Sequence, residues 1–542
     1  MNRLIIFVFL LISSMGFAQQ QAAEKLPRPK LVVGIMVDQM RWDYLYRYYD
    51  RYQPNGFKRM LREGFTCENT FIDYVPTVTG IGHSTVYTGS VPAIHGITGN
   101  DFLINATGLS INCVGDSTVQ TIGSSSNAGK MSPRNLLVTT ITDELKLATN
   151  FRSKVIGIAL KDRGAILPAG HLANAAYWFD DASGNMITSA YYMDELPGWV
   201  QEFNAKKLPE KYLKQDWKTL YGLNTYTQSL PDDNPYEGKF SGQETPVFPV
   251  KTSGMLEKGF GVLRRVPFGN SYTFDMAKAA VENEKLGQGV FTDFLALSFS
   301  ATDGVGHQFG INSIEVEDTY LRLDKDIASF FAFLDGKIGK GNYTVFLTAD
   351  HGAAHNSQFL MDRKVPAGIW KGGDLMNELN ALLEKKYQAA KLVSRFSASQ
   401  VSLNDPVIRK NNLDKESIKQ DCIRFLKDVP GVAFVVDMER ASEASIPEEI
   451  KNRIINGYNP YRSGVIQVIL EPGWQGYALG TGHSVWNPYD AHIPAVFMGW
   501  GIKQGKTVRQ THMTDIAPTI ASLLRVQMPN GSIGKAIPEA LK

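Results

Sequence analysis

Three cysteines in 542 residues, Cys67, Cys113 and Cys422, are too few for a disulfide scaffold, and no Cys-x-x-Cys spacing offers a thiolate zinc site. One disulfide is open to the chain, with Cys67 and Cys113 as the candidate pair; three buried thiols are the alternative. Charge of one sign is also lacking. Lys plus Arg number 56 and Asp plus Glu 54, a formal charge of +2. No global field is therefore available to grip DNA, RNA or an anionic membrane, and any anion specificity must come from a local cluster. Glycine (49) and proline (25) take ordinary shares and no repeat occurs, which excludes collagenous, low-complexity and disordered chains. A serine-hydrolase elbow of the Gly-x-Ser-x-Gly type is absent.

Residues 1–18 carry an export signature. Asn2 and Arg3 precede the apolar run Leu4 to Ile12, and Gly16-Phe17-Ala18 supplies small residues before a cleavage point at Gln19. That run is too short for a permanent membrane helix, and no later run of about 20 apolar residues follows. No cysteine follows the cleavage point, which argues against lipid anchoring. The expectation is an exported, soluble, monomeric protein, periplasmic in a cell with a double envelope.

The remainder, 19–542, reads as one large α/β domain. Continuous apolar runs suit strands buried on both faces: Leu31 to Val37, Val155 to Leu160, Phe294 to Phe299, Thr344 to Thr348, Val465 to Leu470 and Ala495 to Met498. Helical patterns lie between them, at Leu136 to Ala148, Ile314 to Leu334, Asp374 to Tyr387 and Ile516 to Leu524, the last with Thr514 as expected N-cap. Such alternation predicts a central, mostly parallel sheet with helices on both faces. Two stretches break the rhythm and read as inserted caps, at about 170–285, opening on a hairpin over Tyr177 to Tyr192, and at about 390–465.

Several of these strands run into metal-ligand residues. Asp38 ends the first; Asp303 and His307 follow the third; Asp350 and His351 end the fourth; His483 lies in Gly-Thr-Gly-His-Ser. The carboxyl ends of strands in an open α/β sheet face one crevice, so residues distant in sequence converge there. Three carboxylates and three imidazoles suit zinc. One Asp after a strand is ordinarily a cap or turn residue; the repetition of the pattern is what carries the reading. His83, His95, His171, His355, His492 and His512 read as structural.

Thr79, in Val-Pro-Thr-Val-Thr-Gly-Ile-Gly-His, lies where a tight turn enters a helix. It is either an N-cap or a nucleophile, and a threonine hydroxyl needs a metal to ionise it near neutral pH. Lys161 and Arg163 flank Asp162 just after a strand. If that stretch stays extended, they share a face and form an anion clamp; otherwise they are a solvated loop.

Together these motifs resemble the alkaline phosphatase superfamily, in particular its exported, zinc-dependent bacterial alkaline phosphatases with a threonine nucleophile. The likeness runs from about residue 30 to 530 and includes Asp-Ile-Ala-Pro-Thr at 515–519. It implies two zinc ions, one held by Asp38, Asp350 and His351 with Thr79, the other by Asp303, His307 and His483. It assigns Asn100, in Gly99-Asn100-Asp101, to a phosphoryl oxygen, and Lys161 and Arg163 to the basic pair of its monoesterases. The sulfatase branch is disfavoured, because no Cys-x-Pro-x-Arg occurs. Two zinc ions, three carboxylates and a Thr79 alkoxide sum to zero, so Lys161 and Arg163 leave +2 for a phosphate monoester dianion. The expected substrates are small phosphate monoesters, cleaved through a phosphothreonine. The alternative is a diesterase of the nucleotide pyrophosphatase type on the same fold.

Overall fold

All seven residues of strand β1 (Leu31–Val37) are buried, because strands pair along both of its edges and helices cover the faces of a parallel sheet. The computed structural model describes residues 26–542, so the export signature at 1–18 lies outside the described residues. The other main strands are β2 (Phe65–Phe71), β3 (Val155–Ala159), β4 (Ala175–Phe179), β5 (Asp293–Phe299), β6 (Tyr343–Thr348) and β7 (His492–Gly499). Their spatial order is β2-β7-β6-β1-β5-β3-β4. From β6 to β4 every pairing is parallel; β7 runs antiparallel to both β6 and β2. The order reverses at β1, whose neighbours β5 and β6 both come much later in the chain. The crevice at its carboxyl end is where such sheets bind ligands.

Four helices matter for the site: α1 (Thr79–Thr88), α2 (Asp162–Ala169), α3 (Ala301–Phe309) and α4 (Ile314–Leu334). The first three begin within a few residues of a strand end or of the extended Val78, so their first turns face the crevice. The hairpin expected at 177–192 is β4 paired antiparallel with Met186–Ser189.

The strand expected at Val465–Leu470 runs from Ile466 to Leu470, but not in the central sheet. It lies in a separate antiparallel sheet, ordered Val393–Ser397, Gln400–Leu403, Ile466–Leu470, Val432–Asp437. Its two faces meet two different cores: Ile466, Val468 and Leu470 pack with Leu379, Ile418 and Cys422, while Ile469 packs with Ile450 and Ile454. Burial on both faces erases the polar alternation there as in a parallel sheet.

Three other expectations change. The helix read from Leu136 begins at Ile141, where Thr140 and Asp143 close a reciprocal capping box. Thr514 does not cap the last helix; it sits in a 3-10 turn, and the adjacent Asp515 carboxylate accepts the His512 N–H. Cys67 and Cys113 form no disulfide; all three cysteines are buried free thiols. Cys67 lies in β2, paired with β7, whereas Cys113 packs at Gly80. Burial pushes both thiols up to about 12.

Candidate active site

The Thr79 hydroxyl caps nothing. Val78, in extended conformation, occupies the N-cap position, and Thr79 is the first residue of α1. Its Oγ1 lies 3.4 Å from the Lys161 ammonium, in a cavity of about 620 Å³ that Asn100, Arg163, Asp303, His307 and His483 also line. Gly82 sets the height of α1. A Cβ there would stand 2.5 Å from both Cβ and the carbonyl oxygen of Asp350, so only glycine lets this turn rest on the end of β6.

Asp38, Asp350 and His351 are completely buried and place one donor atom each within 4.8 Å of one another. Asp303, His307 and His483 do the same at the cavity wall. Each of the three imidazoles has its Nδ1 at a backbone carbonyl: His351 at Gly352 (2.9 Å), His307 at Thr481 (2.8 Å) and His483 at Thr77 (2.6 Å). A carbonyl only accepts, so Nδ1 carries the proton in all three, which leaves Nε2 of His351 and His483 to offer a lone pair inward, the tautomer a metal ligand needs; His307 Nε2 faces Asp303 Oδ1 at 3.0 Å. Burial holds His351 and His483 below the ordinary imidazole range, keeping them neutral. At His307 burial acts the same way, but the Asp303 carboxylate outweighs it and the shift is upward.

The donor set fits metal ions. Asp38 Oδ1, Asp350 Oδ2 and His351 Nε2 are buried and have no hydrogen-bond partner. Orphaned donors converging in this way cost more than a core tolerates unless a cation engages them. Burial, then the charge of Asp38, drives the Asp350 carboxyl upward, which a cation would reverse.

Lys161 joins the two clusters. Its ammonium contacts Asp38 Oδ2 and Asp303 Oδ2, each at 2.6 Å. The extended stretch that would align Lys161 with Arg163 ends at Lys161, because α2 begins at Asp162. Arg163 enters from the first helical turn, held by Asp162 at 3.5 Å, and both cations still line the cavity. Asn100 Oδ1 accepts the Gly80 N–H at 2.8 Å. With its oxygen so committed, its amide hydrogens are the free donors at the cavity.

Two contributors escaped the sequence reading. Gln39, at φ 65°, donates its backbone N–H to Asp350 Oδ1 (3.0 Å) and its side-chain amide to Asp303 Oδ1 (2.7 Å), touching one carboxylate of each cluster. Its one signal was adjacency to Asp38. The cavity wall opposite Thr79 comes from Trp370, Arg395, Phe396, Gln400, Arg462 and Tyr477, and Tyr477 stacks on His307 with centroids 4.9 Å apart. Residues 170–285 contribute nothing to this wall. None of the six histidines read as structural lines this cavity; His83, for example, is fully buried between the Thr79 carbonyl and the Ser298 hydroxyl.

Comparison with known proteins agrees with this geometry. Residues 32–483 match the family described as type I phosphodiesterase / nucleotide pyrophosphatase. A protein of Myroides odoratus named a calcium-transporting ATPase is 59% identical over 96% of each chain. Alkaline phosphatase PhoV of Synechococcus elongatus is 52% identical over 99% of each chain. The crystal structure of wild-type alkaline phosphatase PafA is 51% identical and superposes with a TM-score of 0.94, over 96% of this chain and 100% of that one.

Proposed function

The chain belongs to the type I phosphodiesterase / nucleotide pyrophosphatase family, within the alkaline phosphatase superfamily, and from that premise we propose that it is an exported alkaline phosphatase. It hydrolyses small phosphate monoesters through a phosphothreonine at Thr79. The observation that carries the mechanism is a Thr79 hydroxyl, capping nothing, at the cavity beside Lys161, whose ammonium also contacts one carboxylate of each three-residue donor cluster.

Two zinc ions, one on Asp38, Asp350 and His351 and one on Asp303, His307 and His483, would supply the Lewis-acid charge that ionises the nucleophile and stabilises the leaving oxygen. Thr79 Oγ1 attacks phosphorus in line with the departing alkoxide. The bond from Oγ1 to phosphorus forms, the bond to the alcohol oxygen breaks, and the threonine proton leaves for solvent. Water then attacks from the vacated side, the bond to Oγ1 breaks, and phosphate departs as Thr79 recovers its proton. Meanwhile the Asn100 amide and the Arg163 guanidinium donate to the non-bridging oxygens, where charge sits in a loose transition state. The Lys161 ammonium, which contacts Asp38 and Asp303, would be free to join them where metal ions compensate those carboxylates.

The net charge left by Lys161 and Arg163 favours a dianionic monoester over a diester. The name of the Myroides relative raises ATP hydrolysis as a second reading, and the terminal phosphoryl of ATP is within the reach of the same chemistry. No helix of the described residues is long and apolar enough to cross a membrane. The test is kcat/KM on p-nitrophenyl phosphate, bis-p-nitrophenyl phosphate and ATP, with added zinc and after chelation. A zinc-dependent preference for the monoester is expected; a preference for the diester would overturn the substrate assignment.

A further inference from the structure

Three acidic residues are buried in the first turns of α4: Glu315, Glu317 and Asp318, each with no exposed surface. Two of them are compensated. Glu317 pairs with Arg51 and accepts the Ser229 hydroxyl. Asp318 takes hydrogen bonds from Trp217, Tyr226, Arg322 and the Leu220 N–H. Glu315 is different: neither of its carboxylate oxygens has a partner. Beside it lies Glu237, 6% exposed, whose Oε1 accepts from Asn234 while Oε2 is buried and unpartnered. Neither glutamate forms an ion pair among the described residues, and the charges acting on them, Asp232, Asp233 and Asp318, are negative. Burial first, then Glu237, drives Glu315 upward; burial, then Asp232 and Asp233, pushes Glu237 up to about 9.

We propose that Glu315 and Glu237 together hold a calcium ion. Three buried oxygens with no partner sit on these two neighbouring glutamates, and leaving such charges bare costs several kcal/mol each. The donors are oxygens alone, without the imidazoles that mark the two other clusters, and the three unpartnered carboxylate oxygens match the hard, oxygen-seeking character of calcium. The ion would have a mechanical role. The loop carrying Glu237 is stitched to the catalytic wall: the Gly238 N–H donates to the carbonyl of Gln308, next to His307 (2.7 Å), and the Gly480 N–H donates to the carbonyl of Tyr236 (2.7 Å). Gly480 leads into Thr481, whose carbonyl fixes His307, and on to His483. Clamping Glu237 to α4 therefore holds the strap that presents two zinc-cluster imidazoles.

The test is equilibrium dialysis of the zinc-loaded full-length protein against radioactive calcium in chelator-stripped buffer, for the wild type, Glu315→Gln and the Glu315→Gln/Glu237→Gln pair, with zinc content measured in each. Calcium-dependent Tm is followed alongside. The expected result is saturable binding near one calcium per wild-type chain and a Tm that rises with calcium. In the variants, calcium affinity falls at least tenfold with zinc retained. No saturable calcium in the zinc-loaded wild type would overturn the proposal whether or not the variants fold. So would unchanged binding in folded variants. Either result would leave the pair as carboxyls kept neutral by protons.

Discussion

Gln39→Ala isolates the side-chain half of a residue that touches one carboxylate of each cluster. The substitution removes the 2.7 Å bond from the amide to Asp303 Oδ1 and leaves the backbone N–H on Asp350 in place. A hydrogen bond to a charged group contributes about 1.5–3 kcal/mol, or roughly 10- to 150-fold. Loss of a partner that orients a metal ligand costs about 10- to 100-fold in affinity or activity, the same range. Zinc affinity of the Asp303 cluster, read by competition with a chromogenic chelator, should therefore fall by about that factor, with kcat/KM falling in step. Backbone strain is separable. Gln39 sits at φ 65°, a conformation that costs alanine about 1–2 kcal/mol and glycine little. Gln39→Gly should be more stable to denaturant than Gln39→Ala by about 1 kcal/mol, yet equally poor in zinc. The pocket for the amide is a notch beside Gly306, where a Cβ would lie 1.9 Å from Gln39 Oε1. A zinc affinity and kcat/KM of Gln39→Ala within twofold of wild type would refute the reasoning.

Three further outcomes follow from the same geometry. Gly82→Ala drives a Cβ against the Asp350 backbone; it should cost about 1–3 kcal/mol in urea unfolding and depress turnover by displacing Thr79, and full activity would contradict that. Arg163→Ala should lower kcat/KM on monoesters by about 10- to 100-fold, as loss of a charge-assisted hydrogen bond implies, and on diesters by less; equal losses would refute the clamp. His95 is buried, bonded to Thr85 and to the Ile97 N–H, and burial lowers its pKa to about 3. The unfolded chain, with histidine near 6.5, then binds the extra proton between those limits. Stability is complete above pH 6.5 and declines as pH falls, by about 1.4 kcal/mol per unit for this group. His95→Gln should flatten the slope of unfolding free energy between pH 4 and 6.5, and an unchanged slope would count against the assignment.

The sequence was most legible where burial on both faces makes a strand an unbroken apolar run. Leu31–Val37 and Ile314–Leu334 fall where the pattern puts them, and the candidate ligands Asp38, Asp350 and His351 follow strand ends because a parallel sheet gathers its carboxyl ends. The same signal misplaced Ile466–Leu470, since an antiparallel strand between two small cores loses its alternation as well. Lys161 and Arg163 were found for an incomplete reason: the helix starts between them, and convergence comes from its first turn. Gln39 was invisible because its role rests on a left-handed backbone and a notch at Gly306, neither of which composition or period records. The aromatic and basic wall from 370 to 477 was equally silent, since only tertiary packing carries the second sheet over Thr79.

The most direct measurement is turnover of Thr79→Ala with zinc counted in the same sample. Removing the hydroxyl leaves all six carboxylate and imidazole donors of the two clusters in place. Zinc content should stay near that of the wild type while phosphate release and labelled phosphoenzyme from a radioactive monoester disappear. Near-normal turnover in the zinc-loaded variant would contradict Thr79 as the nucleophile.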